Sequence, residues 1–285
     1  MAHQLQAWNL IPKEDEYLCP NCGFDLKLNN ASDRPDGLRW NCQHKIQKYH
    51  HKEESCNTHV EFRYGTWFAD AKLDIFQTPG FVNLWVENAP ICLISHQLDI
   101  SLHTCCNWSS FCREVVQYTM PTFNEKLGGE NIIVEIDESN YHTFADPHWR
   151  CGYTTTNIEE WIHPGSIVMS DFWSAYNTLN RHGYQHLRVK HRLQFKDHET
   201  GACTNHIEAH WRASKAIITS GGRRKSQIAG HLAKYLFLYR CEALKLNRTI
   251  EFYRLAGQLY DPTKPTQLNL RVGPTEEERN EMMLE

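Results

Sequence analysis

Three acidic residues and a set of paired cysteines carry the chemistry open to this sequence. Two β-branched runs, N-I-I-V-E-I-D at 131–137 and G-S-I-V-M-S-D at 165–171, each end in an aspartate, and Glu208 follows 37 positions after Asp171. Two acids at strand ends and one on a later helix are what two-metal phosphoryl transfer requires: carboxylates hold a pair of Mg²⁺ ions about 3.5–4 Å apart, which activate the attacking oxygen and stabilise the leaving one. A single aspartate ending a strand is commonly only a cap, so the combination carries the signal. Lys215 lies seven residues after Glu208, two helical turns along the same face. Trp211 and Arg212 fall between them, and a glutamate followed by cations suits a helix laid against a phosphate backbone. A rival occupies the same place. His206, Glu208 and His210 spell H-I-E-A-H, but the zinc-protease motif needs glutamate directly after the first histidine, where this chain has Ile207. His206 and His210 read better as polar-face residues.

The cysteines point to a second metal. Eleven of them in a chain of 285 residues, with no basic-then-apolar leader at its start, fit reduced thiols or metal ligands better than disulfides. Cys19 and Cys22 form C-P-N-C-G, a knuckle whose proline and glycine permit the tight turn that aims backbone amides at sulfur. Tetrahedral Zn²⁺ takes four thiolate or imidazole ligands. Cys42 and Cys56 complete the first-choice set, although thirteen residues separate them instead of two to four. His44, His50, His51 and His59 offer competing fourth ligands. Cys92, Cys105, Cys106, Cys112, Cys151, Cys203 and Cys241 lack knuckle spacing and read as core.

The elements that must position these groups follow from pattern. Hydrophobic content of 41%, charged content of 22% and a net charge of −4 describe an ordinary globular chain, and no apolar run approaches the ~18–20 residues needed to span a bilayer. Residues 1–18 form a lead-in. Residues 19–64 are rich in cysteine and histidine and poor in aliphatics, as a metal-stapled module is. From 65 to 125 the pattern is helical: Phe81, Leu84 and Trp85 share a face, Pro90 opens a second helix through Ile91, Ile94 and Leu98, and Ser101 caps a third over about 102–118. Helix, short turn and capped helix is the layout of a helix-turn-helix, or of any helical hairpin. Ser101 and Thr104, at the opening of the third helix, are its candidate DNA contacts.

Residues 126–246 alternate strands (131–137, 165–171, 184–189) with helices (172–179, 205–217, 228–246), which indicates an α/β domain. Leu232, Tyr235, Leu236 and Tyr239 form one face of the last helix. Residues 247–285 read as a tail, Pro- and Glu-rich from Asp261.

Several motifs in order resemble the Merlin-type transposases and their bacterial insertion-sequence relatives: C-P-N-C-G at 19–23, R-Y-G-T-W-F at 63–68, V-E-I-D-E-S at 134–139, S-D-F-W-S-A-Y at 170–176, T-N-H-I-E-A-H-W-R at 204–212 and Y-L-F-L-Y-R at 235–240. The resemblance implies a zinc ribbon, a helix-turn-helix and a ribonuclease H-like catalytic domain. It makes Asp137, Asp171 and Glu208 the Asp-Asp-Glu triad, with Lys215 as the basic residue that follows. It also implies Mg²⁺-dependent cleavage at transposon ends, attack of the freed 3′-OH on target DNA, a dimer, and a nuclear location. Its spacing before Gly65 favours Cys56 as the last zinc ligand. G-G-R-R-K-S at 221–226 is too short for an import signal and reads as a solvated loop.

One departure bears on activity. Only 33 residues lie between Asp137 and Asp171, where the family has room for two more strands and a helix. That interval offers one weak strand near 150–154 and a short helix near 158–162, so the ribonuclease H-like fold is expected in shortened form. The alternative function is therefore a catalytically inactive, transposase-derived DNA-binding protein.

Overall fold

In a computed structural model of the chain, the described residues are 2–48, 52–69, 71–123, 126–137, 158–170, 174–188, 205–218, 225–261 and 263. Asp171, the weak strand near 150–154, His50, His51, Cys151, Cys203 and nearly all of the chain beyond Asp261 lie outside them. The whole is mixed α/β, with small sheets and helices of six to nineteen residues. Two units divide it: Met1–Thr119 with Leu236–Glu285, and Met120–Tyr235.

The first unit opens on helix α1 (Ala2–Ala7), followed by strands β1 (Leu26–Asn30), β2 (Leu38–Cys42), β3 (Lys45–Lys48), β4 (Lys52–Ser55) and β5 (His59–Glu61). β1, β2 and β5 make an antiparallel sheet in the order β1-β2-β5, while β3 and β4 pair only with each other. Their hairpin accounts for the long interval between Cys42 and Cys56. Its base is closed by the Cys56 amide donating to the His44 carbonyl at 2.8 Å, and the Cys42 amide donates to Thr58 at 2.9 Å. The thirteen residues thus leave the sheet and return to the same point.

Arg63, from R-Y-G-T-W-F, anchors the end of this module. Its guanidinium grips the Asp36 carboxylate through two nitrogens, one bond being 2.6 Å, and its remaining nitrogen donates to the carbonyls of Ala71 and Leu73. One planar fork therefore ties a loop of the sheet to the chain entering the helices.

Helices α2 (Gln77–Val86), α3 (Ile91–Leu98) and α4 (Leu102–Thr119) follow. Phe81, Trp85, Ile94, Cys105, Trp108, Cys112 and Val115 are buried along their inner faces. Pro90 stands at the N-cap of α3, as its fixed φ suits. Asp99 takes a left-handed φ of 51° to end that helix, and the Ser101 hydroxyl accepts from the Thr104 amide at 3.0 Å to cap α4.

Within the stretch read from sequence as a tail, residues 248–259 form a helix. Its Asn247 side chain caps the Ile250 amide at 3.0 Å, and Phe252, Tyr253, Leu255 and Ala256 are buried. This closing helix packs against α2 and α4. Trp8 stacks on Tyr253 at 4.5 Å, and a Cβ at Gly257 would come within 2.8 Å of the Asn9 carbonyl, so only glycine admits that approach.

The second unit centres on parallel strands β6 (Ile133–Glu135), β7 (Ile167–Ser170) and β8 (Gln185–Arg188), in the order β6-β7-β8. Val134, Val168, Tyr176, Leu179 and Tyr184 share a buried cluster with Ile158 and Ile162, the last two flanking a helical turn at 158–161. A 3₁₀ helix, Ser174–His182, stands where an α-helical start is expected from sequence. Helix α5 (Asn205–Ile217) follows; α6 (Lys225–Ala243) begins in this unit and from Leu236 belongs to the first, as does the helix over Arg248–Leu259, α7. The expected apolar stripe of α6 is not its buried side. Leu236 and Tyr239 are exposed, whereas Ala233, Phe237, Leu238 and Cys241 are buried.

Candidate functional site

The first site is built by the turn of C-P-N-C-G. Gly23 takes φ +74°, its amide donates to the Cys19 carbonyl at 2.9 Å, and the Cys19 amide donates to Phe24 at 2.7 Å. This turn brings Cys19 and Cys22 to the end of the sheet where Cys42 leaves β2 and Cys56 re-enters. The four sulfurs all lie within 4.8 Å of one another. Cys19 and Cys56 are 3.7 Å apart, and Cys22 and Cys42 are 3.4 Å apart. A tetrahedral ion with sulfur ligands at about 2.3 Å sets its ligand pairs at roughly 3.8 Å, so the cluster has the dimensions of a four-thiolate metal site.

Two donors already face Cys56: the Asn21 amide nitrogen at 3.3 Å and the Thr58 hydroxyl at 3.2 Å. With Thr58 foremost, these bonds hold the Cys56 thiol down at about 6, while burial pushes Cys42 up to about 12. Donors to sulfur offset the charge a four-thiolate site accumulates. Of the competing ligands, His44 stacks on Phe24 at 3.4 Å, and His59 bonds the Asn41 side chain at 2.7 Å. Among the described residues, these four cysteines form the only group of three or more side chains close enough to share an ion.

The remaining cysteines divide. Cys105, Cys112 and Cys241 are buried, in keeping with the core reading, but Cys92 and Cys106 are exposed.

The second site lies at the ends of the parallel strands. Ile133, Val134 and Glu135 pair with Ile167, Val168 and Met169, and the Ile136 amide continues the ladder by donating to the Met169 carbonyl at 2.8 Å. Asp137 follows at once and is half-buried. Ser170, which precedes Asp171 in the chain, closes β7 fully buried, and its hydroxyl meets His186 Nε2 on β8 at 2.7 Å. Burial, reinforced by Arg188, lowers the pKa of His186 and favours its neutral ring.

On α5, Glu208, Trp211 and Lys215 occupy the more sheltered face, whereas Arg212 is exposed. The two histidines of H-I-E-A-H go separate ways. His210 Nδ1 meets the Tyr235 hydroxyl at 2.6 Å, and His206 Nδ1 meets Glu135 at 2.6 Å. His206 stays exposed, as a polar-face residue does, while His210 is partly buried against Tyr235. Glu135 is the residue that sequence reasoning missed. Its signal was present in V-E-I-D, two positions before Asp137 and so on the same side of the strand.

Residues 133–241 match the family model of the ISXO2-like transposase domain. That segment is similar to an insertion-sequence-like transposase domain. The match opens on Ile133, the first residue of β6, and closes in α6, so it takes in Asp137, Asp171, Glu208 and Lys215. No curated protein and no solved structure matches the chain. The four-cysteine cluster and helices α2–α4 stand outside the matched transposase segment. No helix among the described residues is long and apolar enough to cross a membrane.

Proposed function

We propose that the chain is a Mg²⁺-dependent DNA transposase that cleaves transposon ends and joins the freed 3′-OH to target DNA, using Asp137, Asp171, Glu208 and Lys215. The observation that carries this reading is the parallel register of β6 on β7, Glu135 opposite Met169. Asp137 and Asp171 each follow that pair by two residues in sequence, as two acids serving one sheet edge should. A ribonuclease H-like arrangement of the domain belongs to the same reading. The donor set is all carboxylate, the hard oxygen chemistry that suits Mg²⁺. Mg²⁺ bound there supplies activation of the attacking oxygen and charge stabilisation at the leaving one. Lys215, two turns from Glu208, serves the phosphate backbone.

The four-cysteine cluster is read as a structural zinc ribbon. Helices α3 and α4 are read as a helix-turn-helix, with Ser101 and Thr104 at the start of its second helix and Trp211 and Arg212 as further DNA contacts. A homodimer holding paired ends is what the family resemblance leads us to expect, and a nuclear location follows from the substrate.

The test is end cleavage of DNA bearing the element's terminal inverted repeats, comparing wild type with Asp171→Ala in Mg²⁺ and in EDTA. Cleavage confined to the wild type with metal is expected; its absence there overturns the catalytic reading. One observation favours the alternative, a DNA-binding protein without catalysis. β6 lies at the edge of its sheet among the described residues, with Ile133 54% exposed, where further strands would give it a second neighbour. That reading expects duplex binding that weakens steeply with salt, and equal in wild type and Asp171→Ala.

A further inference from the structure

Glu135 has no part in the roles above, yet its carboxylate joins the two elements that bear Asp137 and Glu208. Along β6 the side chains alternate. Val134 is buried in the cluster around Val168, and Ile136 packs against that cluster. The period of two therefore gives Glu135 and Asp137 a common, opposite face.

On that face Glu135 meets the first turn of α5. Its Oε1 accepts from His206 Nδ1 at 2.6 Å, and its Oε2 accepts from the Ile207 amide at 2.9 Å. An ionised carboxylate only accepts, so the histidine nitrogen is the donor. The Ile207 amide is one of the first-turn N–H groups with no partner inside the helix, and the positive end of the helix dipole favours an anion there. A carboxylate from a strand 72 residues away thus does what a local capping residue does elsewhere. The Glu135 side chain is only 14% exposed, against 83% for His206, so the backbone bond is the better shielded of the two.

We propose that Glu135 is a positioning residue: it clamps α5 to β6 so that Glu208 is presented to the site begun by Asp137. This rests on the reading of Asp137, Asp171 and Glu208 as a metal-binding set. Glu208 directly follows Ile207, and Asp137 stands two residues beyond Glu135. One bond holds a side chain and the other the adjacent residue's backbone, so the helix can neither slide along the strand nor roll about its axis. A roll of one residue is about 100°, enough to turn Glu208 away altogether. Displacement of a reacting group by about 1 Å already costs about 100-fold in related settings.

The experiment uses the zinc-loaded full chain and Mn²⁺ as the probe cation, read by titration calorimetry, together with amide hydrogen exchange in α5. Glu135→Ala should weaken Mn²⁺ binding by about 10–100-fold, the usual effect of removing a group that orients a metal ligand. It should also speed exchange at Ile207 while the rest of the domain stays protected. Glu135→Gln, whose amide oxygen still accepts from Ile207, should recover part of both effects. Unchanged exchange at Ile207 in Glu135→Ala overturns the clamp. Faster exchange with Mn²⁺ affinity unchanged overturns the positioning role and leaves a structural bond only, provided that Asp137→Asn abolishes binding. If Asp137→Asn itself leaves Mn²⁺ affinity unchanged, the metal-binding reading fails, and the positioning role falls with it.

Discussion

Replacing Cys42 with serine, or stripping metal with a chelator, should unfold the cysteine module while leaving helices α2–α4 intact. The size of the effect follows from how little else holds that module. Its buried core is Tyr17, Leu26 and Trp40, with the sulfurs of Cys19 and Cys42 beside them. Three large side chains at about 1.5–3 kcal/mol each contribute roughly 5–9 kcal/mol. Structural zinc contributes about 10–16 kcal/mol to small folds of this kind. Loss of the ion therefore removes more than the apolar core supplies, and β1, β2 and β5 should open together. The assay is zinc content per chain by atomic emission, paired with hydrogen exchange of peptides from 26–61. Peptides from 91–119 serve as the internal reference, since α3 and α4 bury Ile94, Trp108, Cys112 and Val115 independently of any sulfur cluster. Wild-type chain should carry one zinc and protect β1–β2 pairing; Cys42→Ser should carry none and lose that protection. A metal-free chain that still protects the Leu28–Trp40 pairing would refute the reasoning, because the sheet would then stand on its core alone.

Three further outcomes are expected. Arg254 and Arg240 bond Glu251 and hold its carboxyl below the usual carboxylate range. A depressed acid stabilises the fold above its unfolded pKa of about 4.3 and stops doing so as pH falls through the folded value. Urea unfolding at pH 7 should show Glu251→Gln weaker by about 1.5–3 kcal/mol, the contribution of charged hydrogen bonds, and the gap should close on acidification below pH ~4. Ser101→Ala removes the α4 cap and should cost about 1 kcal/mol, seen as a fall of about 2–4 °C in Tm. Excising the β3–β4 hairpin and joining the strands with a two-residue turn should preserve one zinc per chain, measured as above. The hairpin's base bond, Cys56 to His44, already sets the approach of Cys42 and Cys56.

Much of the fold was legible because its signals are local. Ser101 before Leu102, Pro90 before Ile91 and the two β-branched runs mark element starts by chemistry that needs no distant partner. What the sequence did not show depends on remote contacts. The helix over Arg248–Leu259 is capped by Asn247 and has Phe252, Leu255 and Ala256 at helical spacing, yet it sits in front of a Pro- and Glu-rich tail and took its label from that neighbour. Leu232, Tyr235, Leu236 and Tyr239 make a convincing stripe on α6, but periodicity identifies a face without saying which face is covered. Phe237 and Cys241 are the covered ones.

The candidate site was half legible for the same reason. Acids that end strands announce themselves, and four cysteines suggest a metal even across an irregular interval, because the ligand types are few. A residue that orients a ligand has no such restriction of type or spacing. In V-E-I-D, Glu135 looks like an ordinary polar residue on a strand, and in H-I-E-A-H, His206 looks like an exposed helix residue. Only the return of α5 to β6, 72 residues later, makes them partners. The histidines that suggested a zinc protease are spent on two different bonds, one to Glu135 and one to Tyr235. Both bonds fasten the helix that carries Glu208, at its first turn and again one turn further on. If Glu208 is the third acid proposed above, a helix fastened at two points can hold it steady even where the strands beside it are few.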